Sequence, residues 1–238
     1  MFLTKGALKS APAELLAKLK KNNVLVFDPV DEAVPDHAIE FANVIVAASR
    51  IAYREYQKLY PNHLVSNIDH HADPRISKYY KRKMIAPLKV AYFGELANTI
   101  IDPNIENIVD FINVDTSRQN ADWLNKLADY NMHYALRQHR KIDQFKPFLK
   151  GFTAAHCHSN IIIQDTQKEA MLWLGEDYPF LLKNEPTISN ILKHLEYVNT
   201  IQGSPEWEQG LEVMEMIRGQ ISNQNIARQF FAMVDSLI

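Results

Sequence analysis

The 238-residue chain contains a single cysteine, Cys157, so it can form no internal disulfide and no cysteine-based zinc site. It also lacks a basic excess. The 26 Lys and Arg against 28 Asp and Glu leave a formal charge of -2, which argues against a dedicated nucleic-acid binder. No run approaches the roughly 18 apolar residues of a membrane span. The opening Met1-Phe2-Leu3-Thr4-Lys5 has no long apolar core of the signal-peptide kind. Strong internal repeats and low-complexity segments are missing too. What is present is an ordinary globular composition, 47% hydrophobic and 23% charged. These features predict a soluble, cytoplasmic protein. The basic run from Lys78 to Lys83 keeps attachment to an anionic membrane surface open.

Short apolar runs alternate with helical periodicity from the start. Phe2-Leu3 begins a strand, and Pro12 to Lys20 places leucines 15, 16 and 19 on one helical face. Val24 to Phe27 is a continuous apolar run ending in Asp28, and Asn43 to Ala48 is another. A helix over Arg50 to Leu59 stops before Pro61, and His63 to Ile68 is a further strand leading into Asp69-His70-His71. Such β-α alternation with uniformly apolar strands predicts a parallel sheet wrapped by helices.

The pattern breaks from Asp73 to Pro87, which reads as a solvated connection, and then resumes. Strands are expected over Lys89 to Phe93, Asp110 to Val114, Met132 to Leu136 and Ile161 to Ile163. They run into Gly94, Asp115, Arg137 and Gln164-Asp165. Helices are expected over 121–128, 148–157 and 168–174, followed by three helical pieces from Thr187 onward. The predicted organisation is a first α/β lobe over 1–75, a linker over 76–88, a second α/β lobe over 89–186 and a helical segment over 187–238. In parallel sheets, ligands bind beyond the carboxyl ends of the strands, so the polar residues there carry the functional argument.

Two stretches resemble the signature regions of the GT-B glycosyltransferases. FANVIVAAS…HLVSNIDHHAD (Phe41 to Asp73) is similar to the family's strand ending in serine, followed by a strand running into an interdomain turn. TAAHCHSNIII (Thr153 to Ile163) is similar to the helix-to-strand segment beside the nucleotide. The resemblance covers most of the chain in order and spacing, and implies two Rossmann-like lobes with parallel sheets. It also implies transfer of a sugar from a nucleotide-diphosphate donor to a glycan or protein acceptor, with no metal or organic cofactor, in a polysaccharide or glycoprotein pathway. The chain departs from the family where many retaining members carry two glutamates: those positions fall on Phe145 and Thr153. The family's glycine and proline fall on His158 and Asn160.

A diphosphate leaving group needs Arg, Lys and helix N-termini to stabilise its charge. The segment Arg137, Arg140, Lys141, Lys146, Lys150 supplies the cations, with Lys146-Pro147 placed where a helix should begin and Thr153 one turn further on. Gly94 permits close backbone approach and Asn98 after it could bond the donor, while Asp115 at a strand end could hold a ribose or base and Asp165 at another could hold sugar hydroxyls. Asp115 and Asp165 could equally cap the helices that follow. A general base for the acceptor hydroxyl is sought among Asp28, Asp31, His70 and His71. His156 and His158 flank Cys157 on a helix end, pointing to different sides, so no metal site is expected there. Two other readings stay open. One is a non-catalytic relative of the transferases that serves as a partner or scaffold. The other is a metal phosphoesterase of the DHH type, suggested by Asp69-His70-His71, although Asp28-Pro29-Val30-Asp31 has the wrong spacing for its first ligands.

Overall fold

The computed structural model describes residues 1–80, 87–115, 121–138 and 144–237, so Lys81, Lys83, Arg140 and Lys141 lie outside the described residues. The chain forms two compact units. The first comprises Met1–His70, Arg140–Phe148 and Asn223–Ile238; the second comprises His71–His139 and Leu149–Ser222.

In the first unit, strands β1 (Phe2–Thr4), β2 (Val26–Asp28), β3 (Val44–Ala47) and β4 (Leu64–Asn67) lie side by side in chain order, all parallel. Helices α1 (Lys5–Ser10), α2 (Ala13–Lys20) and α3 (Arg50–Leu59) belong to the connections between them. The strand period of two sends neighbouring residues to opposite faces. Phe27 and Ile45 join Leu8, Leu16, Tyr56 and Phe145 in one core cluster. Val26, Val44 and Val46 pack with Met233 of the C-terminal helix Asn223–Asp235 in another. Covered on both faces, β3 is buried along its whole length, which is why it reads as an unbroken apolar run. Ser49 caps α3: its hydroxyl accepts the Ala52 N–H at 3.0 Å and donates to the Phe145 carbonyl at 3.0 Å.

The second unit holds β5 (Val90–Gly94), β6 (Val109–Asn113), β7 (Met132–Tyr134), β8 (Asn160–Gln164) and β9 (Leu181–Leu182). They form a parallel sheet in the order β6-β5-β7-β8-β9. Its helices, in chain order, are α4 (Ile76–Tyr79), α5 (Pro103–Glu106), α6 (Asp122–Lys126), α7 (Leu149–His156), α8 (Lys168–Leu174), α9 (Ile188–Thr200) and α10 (Pro205–Gln220); the C-terminal helix Asn223–Asp235 of the first unit is α11. The segment expected to be a solvated connection contains α4, and its Ile76 is buried. A single-turn helix is too short to show a period in the sequence. The three C-terminal helices break where Gly203-Ser204-Pro205 and Ser222-Asn223 predict, and α10 buries Trp207, Met214 and Ile217 on one face. Trp173 is likewise a core residue, edge-on to Phe152 at 5.0 Å and donating its indole N–H to Glu169 at 2.8 Å. Among the described residues no helix is long and apolar enough to cross a membrane.

Candidate functional site

The strand order of the second unit places its binding crevice. The chain runs outward from β5 in one direction to β6 and in the other to β7, so the order reverses between β5 and β7. Open parallel sheets bind ligands beyond the carboxyl ends of the strands at such a reversal. Those two ends are Gly94 and the residues after Tyr134, which include Arg137.

Lys150, in the first turn of α7, reaches this point. Its ammonium donates to the Phe93 carbonyl at 2.7 Å and sits 4.0 Å from the centroid of the Tyr92 ring. Gly94 makes room for it: a Cβ there would lie 2.5 Å from Lys150 Nζ and 2.8 Å from the Tyr92 hydroxyl. The Tyr92 hydroxyl in turn donates to the Glu95 carbonyl at 2.8 Å, and Asn98 donates its amide to the Glu95 carboxylate at 2.8 Å. Beside this group, His133 on β7 is buried with its ring 5.3 Å from Phe93. Burial, and then the charge of Lys150, push its pKa down to about 3, so the imidazole is neutral. Its Nε2 has no hydrogen-bond partner among the described residues.

The end of β7 is pinned to β8. The Arg137 N–H donates to the Gln164 side-chain carbonyl at 3.1 Å, and the Gln164 amide donates back to the Arg137 carbonyl. Gln164 also accepts from Gln167 at 3.0 Å. Arg137 and Asp165 therefore flank one buried amide, with the Asp165 N–H bonded to the Leu182 carbonyl at 3.3 Å. The capping alternative for Asp165 does not hold, because the residue before α8 is Gln167. Asp115 is exposed just beyond β6, and the residue before α6 is Ala121, so Asp115 does not cap that helix.

The expected basic clamp is divided between the units. Arg137, Lys150 and Thr153 belong to the second and Lys146 to the first. The helix begins at Leu149, not at Lys146-Pro147. The residue before a proline is biased away from helical geometry, and Lys146 lies outside any helix. The two positions that the resemblance assigns to glutamates also differ in setting. Phe145 is a core residue, 5.3 Å from the Tyr56 ring, and Thr153 is a half-buried residue of α7.

The base candidates also differ in setting. Asp31 accepts from Lys5 at 2.7 Å, inside a cluster where Lys5 and Lys9 both bind Glu32. Asp31 lies in a turn and caps no helix. Asp28 ends β2, half-buried; its carboxylate accepts the Val30 N–H at 3.0 Å, and its pKa is raised by burial, against the opposing pull of that bond and of His70. Val30 holds φ at +63°, a strained conformation for a β-branched residue that clusters at functional sites. His70 bonds its N–H to the Ala48 carbonyl at 3.0 Å and belongs to the first unit, whereas His71 begins the second and its ring contacts the Ala72 carbonyl. Asp69 is tied to Gln229, which bonds both its N–H, at 2.8 Å, and its carboxylate, at 2.9 Å. His156 contacts the Phe152 carbonyl at 3.2 Å and His158 lies 3.5 Å from Glu215, so the two rings face different partners.

The raised pKa of Asp28 carries a test. The folded state binds this proton more tightly than the unfolded state does. The resulting contribution to stability is therefore full below the ordinary carboxylate range and is lost as pH rises through the folded value. Asp28→Asn keeps an acceptor for the Val30 N–H and removes the buried charge. Urea midpoints are expected to rise in the variant at neutral pH, with the gap closing towards about pH 3.

No family model matches the chain, and no curated protein matches it. Its structure is similar to that of the GtfA/B complex, with a TM-score of 0.64 and 8% identity over 93% of this chain and 54% of that one. A glycosyltransferase from Rickettsia africae gives a TM-score of 0.60 at 8% identity, over 88% of this chain and 69% of that one. Anabaena HepE, in complex with UDP-glucose, gives 0.58 at 13% identity, over 94% and 76%. The chain thus spans about half the length of the GtfA/B chain it matches. Two parallel α/β sheets in the order described, matched across most of the chain, give this protein the GT-B glycosyltransferase fold.

Proposed function

We propose that this chain transfers a sugar from a nucleotide-diphosphate donor to a glycan or protein acceptor, binding the diphosphate without a metal. The observation that carries the reading is Lys150, held by a backbone carbonyl and an aromatic face at the β5/β7 reversal. An ammonium is a compact full positive charge with three donors, which suits a phosphate oxygen. The first-turn amides of α7 add further donors, and Arg137 a second cation. In this reading Thr153, Gly94 and Asn98 shape the phosphate pocket, and Asp115 and Asp165 take sugar or ribose hydroxyls. The UDP-glucose bound by HepE makes a nucleotide sugar the first donor class to test.

The acceptor proton falls to Asp28 and His70 in preference to Asp31, whose carboxylate is engaged by Lys5, or to His71. A second reading, that of a non-catalytic partner protein, is favoured by the replacement of both expected glutamates, one by the buried Phe145.

Thermal denaturation with UDP-, GDP-, CDP- and ADP-linked sugars tests the donor site. A ligand at 100 times its Kd stabilises the fold by about 2.7 kcal/mol. Absence of a shift with every nucleotide sinks the donor site, whereas binding without turnover selects the second reading. Arg137→Ala is expected to weaken nucleotide-diphosphate binding by about tenfold by calorimetry, with unfolding unchanged. Unaltered affinity removes Arg137 from the site.

A further inference from the structure

Beyond β9, at the outer edge of the second sheet, the surface opens into a concavity of about 700 Å³. Leu181 and Leu182 contribute to its lining from the sheet, and α9 forms one wall. It is separate from the reversal between β5 and β7, because β8 and β9 lie on the far side of β7.

The chemistry of its lining is specific. Glu176, Asp177, Lys183 and Lys193 all line it, and among the described residues none of the four is ion-paired. Two charges of each sign leave no field for a polyanion such as nucleic acid, and so many charges on the rim disfavour a lipid chain. The wall carries an aromatic face: Tyr197 is 42% exposed, with its ring 6.0 Å from that of His194. His194 is itself fixed to the Phe180 carbonyl at 3.4 Å and kept neutral by burial. Asn190 spends its amide N–H on the Glu185 carbonyl at 2.9 Å, which leaves its carbonyl oxygen to accept from a ligand.

A sugar meets these demands: its hydroxyls both donate to carboxylates and accept from ammoniums, and its C–H face can lie on an exposed tyrosine. The volume falls within the range of small-molecule sites and has room for a short oligosaccharide. We infer that this edge concavity is a glycan-holding subsite for an uncharged oligosaccharide, distinct from the site at the β5/β7 reversal and independent of whether the chain transfers sugar.

The test uses the full chain with maltotriose and tri-N-acetylchitotriose as probes, read by saturation-transfer difference NMR and by titration. At least one probe is expected to receive saturation through its ring C–H face, with Kd on the order of 1 mM. Tyr197→Ala, at an exposed position that should leave folding intact, is expected to weaken binding by about fivefold or more, and Tyr197→Phe to retain it. Excess UDP should leave the signal in place. The inference is overturned by saturation of neither probe, by equal binding to Tyr197→Ala, or by displacement with UDP, which would put the sugar at the strand-end site instead.

Discussion

Gly94→Ala is expected to weaken nucleotide-diphosphate binding by tenfold or more, and to cost some stability because Gly94 holds φ at +156°, which a side chain rarely adopts. A Cβ at this position lies 2.5 Å from Lys150 Nζ and 2.8 Å from the Tyr92 hydroxyl, so something must move. The atom most easily moved is the end of the lysine, a flexible chain whose displacement costs the fold little. That displacement removes the ammonium from the Phe93 carbonyl and from the Tyr92 face, which fix it at the strand end. Lys150→Ala should have the same effect directly. Loss of a charge-stabilising group at a reacting phosphate costs about 10² to 10³ in turnover. Because both substitutions act on one ammonium, their effects should not add: the double variant should bind no worse than Lys150→Ala alone, by calorimetric titration of all four proteins. Additive losses would mean that Gly94 meets the ligand itself. Undiminished affinity in Lys150→Ala would remove the cation from the site.

The sequence made the strand ends legible because buried parallel strands are apolar throughout and stop at polar residues. Gly94 and Arg137 were found that way, and the strand order then places them at neighbouring ends. Helices α3 and α8 were legible to the residue, since each carries a clear apolar face. Lys146 and Lys150 looked equivalent, four positions apart on one basic stretch, yet the division between units falls between Phe148 and Leu149. No composition signal marks a crossing that short. The settings of His133 and Tyr92 were hidden for the opposite reason: inside a covered strand, a ring beside a strand end is indistinguishable from core. Nothing in the residues after Asp28 marks that Val30 adopts a left-handed conformation, which valine disfavours. β9, with two residues, had no period to read.

The largest stability effect is expected at Gly210, on the buried face of α10. Glycine inside a helix is normally a weakness, and alanine there normally stabilises by up to about 1 kcal/mol. At Gly210 the sign should reverse. A Cβ would fall 2.5 Å from Asn160 Oδ1 and 2.5 Å from Phe180 Cε2. Neither neighbour can yield cheaply. Asn160 is fully buried on β8; its amide donates to the Trp207 carbonyl at 3.2 Å, and its oxygen accepts from the Tyr178 hydroxyl at 3.3 Å. That hydroxyl also takes the Ile161 N–H at 2.9 Å, so the helix, the strand and the loop before β9 share one buried polar node. Phe180 is locked edge-on against Trp207 at 5.5 Å. Gly210→Ala must therefore lift α10 from the sheet or break buried hydrogen bonds, at a cost of about 3 kcal/mol. Gly219 on the same helix is the control: nothing lies within 4 Å of its Cβ position. Gly219→Ala should move the urea midpoint upward while Gly210→Ala moves it sharply downward. Two shifts of the same sign would show that helix propensity, and not the contact with Asn160, governs both positions.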